Sequence, residues 1–180
     1  MTWLRGLWST RQPRSRAVIA AVSVGLLAAS VGTASASTGG AASTPRCLTS
    51  NLRLDKVGES DFTSHRGWIF AVRNVGQVTC HLKGFPGARL LGNRAQPMNT
   101  RNVHFSGPPR TVVLRPWRRG FFAITFAVSG PCPSAVFAFG MRISPPGALR
   151  GLVWYAGRFD LCGPGPAVLS VSPVTSTRRF

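Results

Sequence analysis

Glycine and proline interrupt the chain so often after Ala36 that long helices are ruled out, and the apolar residues between them alternate. In "NLRLDKV", Leu52 and Leu54 face one way while Arg53 and Asp55 face the other. Trp68, Phe70 and Val72 share a face in "GWIFAVRN", as do Phe122, Ile124, Phe126 and Val128 in "FFAITFAV". Phe137, Phe139, Met141 and Ile143 line up in "VFAFGMRI" with Arg142 opposite, and Leu169 and Val171 close the series. Period-two patterning at short spacing, with turn residues between, predicts an all-β fold: an antiparallel, immunoglobulin-like β-sandwich. Aromatic stripes of this kind read as core rather than as ligand platforms. No internal repeat marks a second domain.

The N-terminus reads differently. Arg5, Arg11, Arg14 and Arg16 precede the uncharged apolar stretch 17–30, and Ala34-Ser35-Ala36 follows it. That order is a secretory signal peptide over residues 1–36, with cleavage expected after Ala36. No Arg-Arg pair precedes the apolar run, so the twin-arginine route is not expected. Cys47 lies eleven residues past the cleavage point, too far for a lipid anchor. The rival reading is an uncleaved membrane anchor over 17–36; Ser, Gly and Thr thin the apolar run beyond Ala29, which favours cleavage. Residues 37–46 read as a flexible leader, 47–174 as one domain, and 175–180 as a basic tail. Localisation is expected to be secreted or extracytoplasmic, at the cell wall.

An exported chain with four cysteines favours disulfides over thiol chemistry. Cys47 lies just before the first predicted strand and Cys80 just after the second; Cys132 and Cys162 flank a later pair in the same way. In an antiparallel pair the start of one strand lies near the end of the next. Cys47–Cys80 and Cys132–Cys162 are therefore favoured over the two other connectivities. Each closes a loop of about 30 residues, worth roughly 3–4 kcal/mol in the chain-entropy model.

The segment "NVGQVTCHLKGFPG" resembles a secreted domain of unknown function widespread in high-GC Gram-positive (actinobacterial) exported proteins and lipoproteins. That family's motif, Thr-Cys-x-Leu-x-Gly-aromatic-Pro-Gly after an Asn, falls on Asn74, Thr79, Cys80, Leu82, Gly84, Phe85, Pro86 and Gly87. The resemblance runs on through "VVLRPWRRGFFAITF", Cys132, "RISPPG", Cys162 and "VLSVSPV". Trp117 departs from it, standing where the family usually has glycine, which predicts a differently built turn and an exposed indole. The resemblance implies a β-sandwich exported to the envelope and supplies no catalytic residues.

Charge is the remaining signal. The chain carries 22 basic residues, four acidic ones and a formal net charge of +18. Without the four N-terminal arginines the net is +14. Twenty arginines against two lysines fit GC-rich coding, but coding bias does not explain why only Asp55, Glu59, Asp61 and Asp160 are acidic. An average domain of this size would hold about 15–18 acids, so an anionic partner is expected. Arg115, Trp117, Arg118 and Arg119 in "RPWRRGFF" form the candidate anionic-ligand patch, suited to anionic envelope polymers or lipid headgroups. The alternative for such a surface is plain solubility. Export argues against a nucleic-acid partner, and a monomer is expected.

No enzyme motif is present, and no cofactor or metal is expected. Cys80 and His81 are adjacent and point to opposite faces of a strand, and no C-x-x-C or H-x-x-x-H spacing occurs. No G-x-S-x-G elbow occurs either. The alternative function is a hydrolase of envelope polymers working through Asp61 and His65, in the loop "KVGESDFTSHRG" with Asp55 and Glu59. A solvated loop tip is the plainer reading of that cluster. The leading expectation is an exported, non-catalytic envelope-binding or structural module.

Overall fold

The alternating segments become strands because their apolar faces have a common core to enter. The structure, a computed structural model, describes residues 43–61, 64–128, 134–163 and 166–180. A 3-10 turn, Thr49–Asn51, leads into β1 (Leu52–Asp61), β2 (His65–Asn74), β3 (Cys80–Lys83), β4 (Gly87–Leu91) and β5 (Thr100–His104). Then come β6 (Thr111–Leu114), β7 (Arg119–Ala127), β8 (Ala135–Ser144), β9 (Leu152–Cys162) and β10 (Ala167–Val171). Among the described residues there is no α-helix.

The strands form a five-stranded sheet in the order β1-β2-β7-β10-β5, a three-stranded sheet β4-β8-β9, and the pair β3-β6. The named strands pair antiparallel except at one edge, where β10 and β5 run parallel from Ala167↔Thr100 to Val171↔His104. The antiparallel expectation holds for the other pairs of named strands and fails at this edge alone among them. The crossover from β5 back to β10 passes through four other strands, long enough to bring a parallel partner alongside.

The large sheets meet across an aromatic core. Trp68 of β2 sits edge-on to Trp154 and Phe159 of β9, with ring centroids 4.9 and 4.7 Å apart. Phe126 of β7 approaches Trp68 at 4.8 Å, and Phe70 stacks on Phe122 at 5.5 Å. Fully burying one such side chain contributes about 1.5–3 kcal/mol. Such aromatic pairs add about 0.5–1.5 kcal/mol each. The Trp68 contacts with β9 join the two sheets, while those of Phe126 with Trp68 and Phe70 with Phe122 link neighbouring strands of the larger one.

The stripe expected along β8 is broken. Ala138, Met141 and Ile143 are buried and Val136 is partly buried, whereas Phe137 is exposed and Phe139 intermediate. The β8–β9 register shifts between Ala138 and Gly140: Ala138 opposes Phe159, and Gly140 opposes Tyr155. Between these two pairs β8 advances two residues and β9 four, an irregularity that interrupts the alternation, and the buried set of β8 passes from Ala138 to Met141 and Ile143. Gly140 is required at that shift, since a Cβ there would lie 2.5 Å from the Trp154 carbonyl oxygen. Phe137 and Phe139 therefore belong to the outer face.

Cys80 does not close β2. It opens β3, whose free edge takes up the incoming chain: His81 N–H donates to Pro45 O (2.9 Å) and Cys47 N–H donates to His81 O (3.0 Å). Residues 44–46, expected in the leader, are thus fixed to the domain, and His81 Nδ1 also contacts Thr44 O at 2.7 Å. Cys47 and Cys80 are disulfide-bonded, with Cα atoms 4.8 Å apart. Cys162 ends β9 and is disulfide-bonded too. Cys132, expected as its partner, lies outside the described residues, as does the expected signal segment 1–36.

Candidate functional site

The arginine-rich segment occupies the connection between β6 and β7. Arg118 N–H donates to Arg115 O at 3.0 Å, closing a four-residue turn with Pro116 second and Trp117 third. Trp117 has φ 66°. Proline second and a left-handed third residue define a type II turn, whose third position suits glycine. The turn is therefore built as a glycine would build it, with a tryptophan bearing the strain. Left-handed backbone costs an L-residue about 1–2 kcal/mol. The indole is 59% exposed.

One buried residue holds this turn. Asn74, at the end of β2, is fully buried, and every polar group it carries is used. Its N–H donates to Arg118 O (3.0 Å) and its O accepts from Trp117 N–H (2.7 Å). Its Nδ2 donates to Val78 O (2.8 Å) and Leu114 O (2.9 Å), while Oδ1 accepts from Gly76 N–H (3.0 Å). The motif asparagine is thus the clamp between the β2–β3 loop and the turn that presents Trp117.

Register adds arginines that the linear segment does not contain. Arg53 of β1 opposes Arg73 of β2, and Arg73 opposes Arg119 of β7. Three arginines therefore form one row across three neighbouring strands, which are spaced about 4.8 Å apart. The Arg73 guanidinium carbon lies 5.8 Å from the Trp117 ring centroid, within cation–π range. Arg73 Nε is buried without a hydrogen-bond partner. Two strand positions further along β7, Arg178 of the tail lies over Phe121 at 5.4 Å, where Thr175 pairs with Phe121. Among the described residues, only Arg53 has an acidic neighbour in the row, Asp55 at 3.3 Å. Arg115, Arg118 and Arg119 are all exposed. Arg73 and Arg53 escaped sequence reasoning because the row exists only through strand pairing between residues distant in sequence.

The acidic loop is shorter than the sequence suggested. β1 runs to Asp61 and β2 starts at His65, so Asp55 and Glu59 sit on a strand, where backbone pairing holds them apart from the loop tip. Glu59 forms an ion pair with Lys56, whose ammonium also lies 5.2 Å from the Trp68 ring and 5.7 Å from the Trp154 ring. The Lys56 hydrogen bond holds the Glu59 carboxyl below its ordinary value; partial desolvation opposes this, and the Lys56 and Arg66 charges assist. The Trp68 indole also favours ionised Glu59, although its Nε1 lies outside hydrogen-bond geometry. His65 Nδ1 contacts Ser64 Oγ at 2.9 Å. The Asp61 side chain lies outside the described ones. Among the described residues no three His, Cys, Asp or Glu converge as a metal site. No described helix is long and apolar enough to cross a membrane.

Residues 47–175 match the family described as Domain of unknown function (DUF4232), and the chain belongs to that family. No curated protein and no solved structure matches the chain.

Proposed function

We propose that this is an exported, non-catalytic binding or structural module of the cell envelope that favours anionic surfaces. In this reading residues 1–36 are a cleaved signal peptide, the two large sheets form an immunoglobulin-like sandwich, and Cys132 is the partner of Cys162. The actinobacterial export context implied by the motif at Thr79–Gly87 supports the location. The single observation that carries the binding role is the arginine row Arg53–Arg73–Arg119 beside Trp117. Like charges opposed across strands cost stability, and a strained, exposed tryptophan adds to that cost. A surface kept that way is explained by what it binds.

Arg115, Arg118 and Arg119 supply bidentate contacts to phosphate or carboxylate groups, and Trp117 supplies an amphipathic anchor at a headgroup or sugar surface. Clustering matters because exposed charges are screened beyond about 8 Å at physiological salt. Diffuse basicity would bind little under those conditions.

The test compares retention on anionic vesicles and on purified wall for the mature domain and for a variant with Arg115, Arg118 and Arg119 changed to serine. The variant's net charge falls only from +14 to +11. A basic residue near an anionic membrane contributes roughly 1 kcal/mol. Loss of three should weaken vesicle binding on the order of 100-fold at low salt. Equal retention of both forms at every salt concentration would remove the patch from the reading.

A further inference from the structure

We propose that an open cleft over the β4–β5 seam binds a phosphate ester, its oxyanion clamped between Arg89 and Arg142. The cleft has a volume of about 510 Å³, and no carboxylate lines it. It is formed by other strands than the arginine row, and it does not depend on the turn at Trp117.

Arg89 of β4 and Arg142 of β8 are direct partners in an antiparallel pair, with Ala88, Leu90, Met141 and Ile143 turned to the core. Directly opposed residues place their Cβ atoms about 4.5–5.5 Å apart, and like charges so placed repel. Neither arginine joins an ion pair among the described residues. Two planar guanidiniums on one face at that spacing can grip one tetrahedral oxyanion from two sides. The bound anion would also cancel their repulsion.

The surroundings are built to hold this geometry. A Cβ on Gly151 would lie 2.5 Å from Arg142 Cγ, so the glycine leaves room for the arginine stem. Asn102 of β5 fastens the outer edge of β4 where the Leu91–Pro97 bridge does not reach: its Oδ1 accepts from Ala88 N–H and its Nδ2 donates to Ala88 O, both at 2.7 Å. Leu90 N–H donates to Thr100 Oγ1 at 3.1 Å. The motif's Phe85 stacks on His104 with centroids 4.0 Å apart and planes 6° from parallel, forming one wall. Ser144 offers a hydroxyl on the arginine side, and Leu149, wholly exposed, offers an apolar contact for the organic part of the ester. Thr100 and Asn102 are spent on backbone groups, which leaves the arginines, His104 and Ser144 to meet the ligand.

The same phosphate chemistry is available from a soluble ester or from a lipid headgroup, and separate probes distinguish them. Inorganic phosphate and glycerol 3-phosphate are titrated into the mature domain at low salt, following the backbone amides of Ala88, Arg89 and Arg142 by NMR. Vesicles of phosphatidylglycerol are compared with phosphatidylcholine by sedimentation. We expect saturable shifts with wild type, weakened about tenfold or more in Arg89→Ser or Arg142→Ser. The serine variants should melt no lower than wild type without ligand, because a repulsion has been removed. Phosphate should raise the melting temperature of wild type only. Vesicle binding that falls in the same variants assigns the headgroup as source; soluble binding alone assigns a free ester. The Arg115/Arg118/Arg119 variant should keep the phosphate response, so either site can fail without the other. Absence of saturable shifts with every probe, or binding unchanged in the Arg89→Ser/Arg142→Ser double variant, would overturn the proposal.

Discussion

Trp117 holds φ 66° where a turn favours glycine, while Asn74 next to it satisfies five hydrogen bonds from full burial. The two residues make opposite predictions. Trp117→Gly removes the left-handed strain and should raise stability by about 1 kcal/mol, after the entropy glycine adds to the unfolded chain. It should also weaken retention on anionic vesicles. Chemical denaturation of both forms checks this; a loss of stability would mean that the Arg73–Trp117 contact outweighs the strain. Asn74→Ala should cost about 2–4 kcal/mol, since the carbonyls of Val78 and Leu114 and the amide of Gly76 lose their partner. Trp117 was visible as a departure from the family pattern. That the turn keeps its glycine geometry was not, because the backbone of Asn74, on a strand distant in sequence, bonds Trp117 and Arg118 and enforces it.

At the scale of elements, long strands were legible and short ones were not. β2 and β7 carry ten and nine residues with the apolar set on one parity over most of their length, whereas β1 keeps it only at Leu52 and Leu54, ahead of the register shift between Lys56 and Gly58. β3 and β6 have four residues and β4 and β5 five, too few for alternation to stand out, and Thr100–His104 has no buried residue at all. The parity change at Ala138–Gly140 misled the reading of Phe137 and Phe139 because two register-compatible faces are spliced within one strand. A bulge leaves no mark in hydrophobicity alone beyond a glycine, and this chain has twenty. The cysteine pairing at Cys47–Cys80 was anticipated on a partly wrong premise: β3, rather than the end of β2, receives the incoming chain. Replacing both with alanine opens a loop of sequence separation 33 and should cost about 3–4 kcal/mol. A denaturant midpoint unchanged by the replacement would contradict that figure. Non-reduced peptide mapping should join Cys132 to Cys162, and a fragment linking Cys132 to Cys47 or Cys80 would overturn the pairing.

For the whole molecule, the shortage of acids governs how stability responds to pH. Acid unfolding proceeds mainly by protonating carboxylates that the native state holds ionised. Only four are present among 180 residues. The described ion pairs Arg53–Asp55, Lys56–Glu59 and Arg158–Asp160 lie at the surface, where a pair contributes about 0–1 kcal/mol. Glu59 has its pKa lowered from 4.5, chiefly by the Lys56 hydrogen bond. A depressed carboxylate stabilises the fold above its unfolded pKa, and that contribution disappears as pH falls through the lower folded value. The window is therefore below about pH 4.5, and the effect is small because the Glu59 side chain is 48% exposed and screened by water. The melting temperature should be nearly level from pH 7 to 5 and fall by no more than about 5 °C by pH 3, the shift that roughly 1 kcal/mol produces in a domain of this size. Calorimetry across that range, with Glu59→Gln alongside, checks both parts: the variant should show a smaller acid fall than wild type. A steep acid transition retained in Glu59→Gln would show that another carboxylate holds the fold together.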